Sequence, residues 1–202
     1  MIQKTAASVL EYPPLIGNGR HVNEIDSETL YEIVDGNRVE KVMSLYANVM
    51  ATVISYLLQR YADETNSGRP IVETMFDLPG VDQVRRPDCA FVTFDTWPKE
   101  RAIPRGDVWA IAPDLAVEVI SPTDRWEAAM RKVREYFKAN VKLVWVILPS
   151  ERLIYVHRSL KDVCLLDHTD ELTGDGVLPG LRLSISEIFA RAGAEETQET
   201  AQ

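Results

Sequence analysis

The chain has 202 residues, enough for one domain with a sizeable core and too few to argue for two. Hydrophobic residues make up 46% and charged residues 26%, which excludes a disordered or fibrous chain. A net charge of −9 argues against broad, non-specific nucleic-acid binding, and Cys89 and Cys164, far apart and without a CxxC, exclude a disulfide framework or a zinc site of ordinary spacing.

Residues 1 to 25 read as an irregular segment containing proline and glycine. "DSETLYEI", with Asp26 or Ser27 as N-cap, reads as a short helix. In "YEIVDGNRVEKV", Asp35-Gly36 sits between two alternating stretches, a hairpin signal. Residues 44 to 62 carry apolar side chains at helical spacing and predict one long amphipathic helix. "ETNSGRP" follows as a turn with a glycine stop.

Three strands are expected next: "PIVETMFDL" (70 to 78), "VRRPDCAFV" (84 to 92) and "DLAVEVIS" (114 to 121), with a loop between the last two. A second helix runs from about Asp124 to Asn140, with Asp124 as its expected cap. "VKLVWVILP" (141 to 149) is apolar throughout, as suits a strand buried on both faces. "RLIYVHR" pairs with it across a short turn. "VCLL", the turn "LPGL" and a final helix "SISEIFARA" complete a single domain over 26 to 190, and the acidic tail 191 to 202 is expected to be disordered. The order of elements gives an α/β fold with a mixed central sheet flanked by helices.

One residue breaks the pattern. Glu118 stands inside an otherwise apolar strand, where an unpaired carboxylate would cost several kcal/mol or surrender its charge, on the order of the desolvation penalty. If the strand carrying Asp88 is its neighbour, the two carboxylates converge. A divalent cation would then neutralise them, and oxygen ligands favour magnesium, with manganese as a substitute. Glu40 is a third acid able to complete the cluster. The bland alternative pairs Glu118 with an arginine such as Arg86 in a structural ion pair. Asp114 reads as a strand-entry residue, exposed ahead of the apolar run.

The succession "YEIVDGNRVEKV", "RRPDCAFV", "PDLAVEVISPTDR", "KVREYFKANVKLVWVILP" and "LPGLRLSISEIF" resembles the Uma-two family of restriction-endonuclease-like proteins, formerly a domain of unknown function. The resemblance spans about residues 26 to 190. It implies the core of the PD-(D/E)XK nucleases, namely helix, three strands, helix, strand. By the same resemblance Asp88, Glu118 and the main-chain carbonyl of Val119 would hold Mg2+, and Glu40 would supply the first acid. The lysine of the superfamily motif is replaced by Ile120, and Lys132 on the following helix takes its place. Arg85 and Arg86 would hold flanking phosphates.

The implied activity is metal-dependent endonucleolytic hydrolysis of phosphodiester bonds in DNA, by a homodimer in the cytoplasm. The alternative is an inactive nuclease-fold protein that binds nucleic acid or a protein partner. No apolar run reaches the length of a membrane span. His21, His157 and His168 stand in unrelated contexts, Cys89 reads as core packing, and "GNGR" lacks the strand-to-helix setting of a phosphate loop.

Overall fold

The structure is a computed structural model and describes residues 30 to 193 except 42 and 123. It opens with a hairpin, β1 (Tyr31–Val34) and β2 (Asn37–Glu40), closed by Asp35 and Gly36, both at positive φ. That backbone gives a two-residue turn the twist that flanking strands need. Residues 31 to 33 of the expected short helix are therefore strand, because pairing with β2 overrides the local cap signal. Residues 26 to 29 of that stretch and the segment 1 to 25 lie outside the described residues, as does the tail from residue 194.

Helix α1 (Leu45–Thr65) starts where Ser44 caps the Ala47 amide and buries Met50, Ile54, Leu57, Leu58 and Tyr61 along one side. It stops at Asn66, left-handed at φ 50°, and not at the expected glycine. Gly68 serves a different need. A Cβ there would meet the Phe91 ring at 2.3 Å and the Val92 carbonyl oxygen at 2.5 Å, so only glycine lets β3 (Gly68–Val72) lie against its neighbour.

Each of the next two expected strands is broken in the middle. The first divides into β3 and β4 (Met75–Asp77) at Glu73, held at φ 47°. The second divides into β5 (Val84–Arg85) and β6 (Cys89–Thr93) around Pro87, which has no amide to continue a ladder. A two-residue strand, β7 (Val108–Trp109), interrupts the expected loop. Then come β8 (Leu115–Val119), α2 (Trp126–Lys138), β9 (Leu143–Leu148), β10 (Leu153–His157), β11 (Val163–Leu166), β12 (Glu171–Gly174), β13 (Leu178–Ser184) and α3 (Ile185–Arg191). The stretch "LPGL" lies within β13 and is not a free turn.

The breaks distribute the chain between two sheets. The larger has the order β11-β10-β9-β8-β6-β3, mixed, with β8 and β9 parallel across the α2 crossover. The smaller has the order β2-β1-β5-β4-β7. One face of the larger sheet packs against α1 and α3. The other packs against α2 and, through Ala90 and Val92, against Phe76, Trp97 and Trp109. Cys89 is fully buried in the first core, and burial pushes its thiol up to about 12, so it stays protonated and unreactive. The sequence α1, β3, β6, β8, α2, β9 is the expected helix, three strands, helix, strand core. Among the described residues, no helix is long and apolar enough to cross a membrane.

Candidate active site

All five residues of β8 are buried, Glu118 among them. Strand β6 runs antiparallel to it with Cys89 opposite Val117, so one further step brings Asp88 level with Glu118. The expected meeting of these two carboxylates does take place. Asp88 Oδ2 accepts a hydrogen bond from the Val119 amide at 2.5 Å, and Asp88 Oδ1 lies 2.7 Å from Lys41 Nζ. Glu118 Oε1 accepts from the Tyr136 hydroxyl at 2.5 Å, and Oε2 from Lys132 Nζ at 3.0 Å. Its salt-bridge partner is thus a lysine of α2, and not Arg86.

Lys132 brings in an acid that the sequence reading missed. Its ammonium also lies 2.9 Å from Oε1 of Glu32 in β1. Glu32 Oε2 in turn meets Arg85 Nη1 at 3.0 Å, and Arg85 Nε donates to Glu135 at 2.5 Å. Lys41 closes the other end, donating to Glu73 at 3.0 Å and to the Arg86 carbonyl at 2.9 Å. The network joins both sheets and α2.

Glu40, expected as the third acid, is exposed at the rim of the cleft. The hairpin register explains the exchange. Pairing across the turn sets Glu32 opposite Val39 and Tyr31 opposite Glu40, and the Lys41 amide bonds to Leu30. Alternation then puts Glu32 and Lys41 on one face and Glu40 on the other. The Asp35-Gly36 signal was the clue that could have found both.

Arg85 and Arg86 do not stand where a flanking phosphate would need them. Arg85 is 1% exposed and committed to two carboxylates. Half-buried Arg86 donates to the carbonyls of Tyr31 and Glu73. Among the described residues, the exposed cations along the wall of the cleft are instead Arg125 and Arg131. Asp114 is likewise buried and not exposed, accepting from Thr93, Thr96 and Lys142 in a role confined to the fold. Asp124 accepts from the Ser121 amide and does not cap α2, whose N-cap is Arg125.

The electrostatics sort the two central glutamates in opposite directions. For Glu118, burial and the neighbouring Asp88 and Glu32 push its pKa above its ordinary value despite Lys132. For Glu32, burial acts upward too, but Lys132 and Arg85 outweigh it and hold the group below its ordinary value. Burial opposes the charge on Lys132, yet Glu118 and Glu32 keep it protonated well beyond an ordinary lysine. Tyr136 is raised as well, first by burial and then by Glu118, so it donates as a neutral phenol.

Among the described residues, no group of three or more His, Cys, Asp or Glu side chains converges as a metal-ligand set. A two-carboxylate set with a main-chain carbonyl is the remaining possibility, and the charge balance accommodates it. Five carboxylates (Glu32, Glu73, Asp88, Glu118 and Glu135) share three cations (Lys41, Arg85 and Lys132) in two ion-pair groups joined through the Arg86 main chain. Burial lifts both Glu118 and Glu73 above their ordinary values, with Asp88 adding to the rise at each and Glu32 at Glu118. Hard oxygen donors with surplus negative charge fit a divalent cation such as magnesium. Of these carboxylates, Glu32, Asp88 and Glu118 line a cleft of about 240 Å³ that opens between the hairpin and the start of α2.

The family model Uma2, described as "Putative restriction endonuclease", matches residues 21–186. Among solved structures, the chain is similar to the crystal structure of a "putative nuclease belonging to DUF820" from Anabaena variabilis ATCC 29413. The TM-score is 0.73 at 19% identity, covering 84% of this chain and 94% of that one. No curated protein matches the chain.

Proposed function

This chain belongs to the Uma2 family of restriction-endonuclease-like proteins, and from that membership we propose that it is a metal-dependent endonuclease that hydrolyses phosphodiester bonds in DNA. The observation that carries the reading is the meeting of Asp88 and Glu118 at the base of an open cleft with Lys132 Nζ 3.0 Å from Glu118.

In this reading Asp88, Glu118 and the Val119 carbonyl hold Mg2+, or Mn2+ in its place. The bound ion supplies an activated water and polarises the phosphate. Tyr136 fixes the Glu118 carboxylate, and the Val119 amide fixes that of Asp88. Glu118 and Glu32 hold Lys132 in its charged form. It acts as a preorganised cation facing the negative charge that develops on the phosphate. Glu32 and Glu118 grip it from two elements, so its position costs little reorganisation during the reaction. Arg125 and Arg131 take the flanking phosphates, the role first expected of Arg85 and Arg86. Two copies acting together would cut both strands of a duplex, in the cytoplasm where such DNA is met.

A second reading also has an observation in its favour. Every carboxylate oxygen of Asp88 and Glu118 already accepts from a protein donor, as suits a nuclease fold that binds without cutting. Calorimetric titration of Mn2+ into the wild type and Asp88→Ala, beside Mg2+-dependent cleavage of duplex and single-stranded DNA, separates the two. Saturable binding lost in the variant, with cleavage, supports the endonuclease. Binding to DNA without metal uptake or cleavage supports the inactive module.

A further inference from the structure

Lys41 occupies an unusual position for a lysine outside the expected motif. Its side chain is only 9% exposed, and its ammonium meets three acceptors: Asp88 Oδ1 at 2.7 Å, the Arg86 carbonyl at 2.9 Å and Glu73 Oε1 at 3.0 Å. An ammonium has three N–H donors, so the set is complete. The acceptors come from three places in the fold. Asp88 precedes β6, Arg86 follows β5, and Glu73 sits at the left-handed break between β3 and β4. A non-glycine residue held at φ 47° is a strained conformation that the surroundings must enforce, and here it places Glu73 beside Lys41.

Glu118 and Asp88 are treated differently by their lysines. Lys132 bridges two buried carboxylates. Lys41 bridges Asp88, on the cleft, to the partly exposed Glu73 and a main-chain carbonyl. It can release Asp88 and still keep two acceptors. From the Lys41–Asp88 contact and these two reserve acceptors, we infer that the Lys41 ammonium stands in for the divalent cation on Asp88, and that metal binding requires it to let go of this carboxylate. Lys41 is then a positioning residue whose charge opposes the metal. The N–H it frees would face the cleft, where a phosphate oxygen can accept it, so metal and phosphodiester would favour each other's binding.

This inference rests on Asp88 being a metal ligand, and its test separates the two. Mn2+ is titrated calorimetrically into full-length wild type, Lys41→Met and Lys41→Arg, with circular dichroism to confirm folding. Removing a like charge a few ångströms from the ion should tighten Mn2+ binding in Lys41→Met by about tenfold or more, while Lys41→Arg stays near wild type. A folded Lys41→Met that binds no tighter, or more weakly, overturns the inference and leaves the metal site standing. Absence of binding in both wild type and Lys41→Met overturns the metal site as well. Amine-reactive labelling of the wild type, read by mass spectrometry, decides the matter if Lys41→Met does not fold. Lys41 should label faster in Mg2+ than in EDTA, and unchanged or slower labelling overturns the inference.

Discussion

Lys132 in α2 and Glu118 in β8 meet at 3.0 Å although fourteen residues separate them, because the crossover helix lies over the strand it follows. The position two residues after the acid holds Ile120, and a lysine reaches the acid from the helix. Ile120 is then free to pack against the core beneath α2. Lys132→Met should lower the single-turnover rate of cleavage at saturating Mg2+ by about 10²–10³-fold, the usual effect of removing one preorganised transition-state donor. A variant that melts like wild type and cleaves within a few-fold of it removes Lys132 from the mechanism.

Glu32 and Glu118 share Lys132, yet their replacement should have unequal consequences for folding. Glu118 is raised by burial and like charge, so its ionised form weakens the fold, and Glu118→Gln keeps the acceptor for Tyr136. Glu32 is lowered against burial by two cations, and Glu32→Gln leaves both Arg85 and Lys132 short of a partner. In urea unfolding with EDTA present, Glu32→Gln should lose about 3–5 kcal/mol and Glu118→Gln no more than about 1 kcal/mol. Equal losses would show that the cations do not discriminate between the two.

Away from the cleft, Asp114 ties β8 to the start of β9 and to Thr93 and Thr96. Burial acts to raise its pKa, but the contact with Lys142 and the hydrogen bonds from Thr93 and Thr96 hold it below the usual value. A depressed pKa contributes stability above the unfolded value of about 3.9, and that contribution disappears as pH falls through the folded pKa. Asp114→Asn should therefore be less stable than wild type at neutral pH by about 1–3 kcal/mol. The gap should narrow as pH drops below about 4 in melting curves of the two proteins. A constant gap across that range would refute the electrostatic account.

Arginines at the cleft divide into buried and exposed sets, and the salt dependence of DNA binding should tell them apart. Arg125→Ala and Arg131→Ala should each weaken binding across sequences and reduce the slope of log K against log salt by about one. Arg85→Gln should leave that slope alone and lower stability, since it strands Glu32 and Glu135. A slope change with Arg85→Gln alone would return the phosphate contact to that residue.

The order of the main elements was legible because the apolar runs of β8 and β9 and the helical spacing of α1 are local signals. Glu118 was legible as a charge in an apolar strand, and Asp88 followed from strand adjacency. Glu32 escaped because its burial comes from Arg85, fifty-three residues away and on another strand. Lys41 was not legible beside Glu40, because only the hairpin register tells which of two adjacent side chains turns inward. The breaks at Glu73 and Pro87 fall in short polar stretches, Glu73-Thr74 and Arg85 to Asp88, that the outward positions of a single strand could also carry. Pro87 was the one visible hint that a single stretch would serve two sheets.

That division of residues 84 to 93 between sheets ties the assembly of the cleft to completion of the fold. The larger sheet alone carries Asp88 and Glu118, whereas Glu32, Lys41 and Arg85 arrive with the smaller one. Before the hairpin docks, Asp88 would lack Lys41, and Lys132 would hold Glu118 without Glu32 on its other side. Docking of the hairpin therefore completes the charge pairing of the cleft, which reaches its final electrostatic state only with the whole fold.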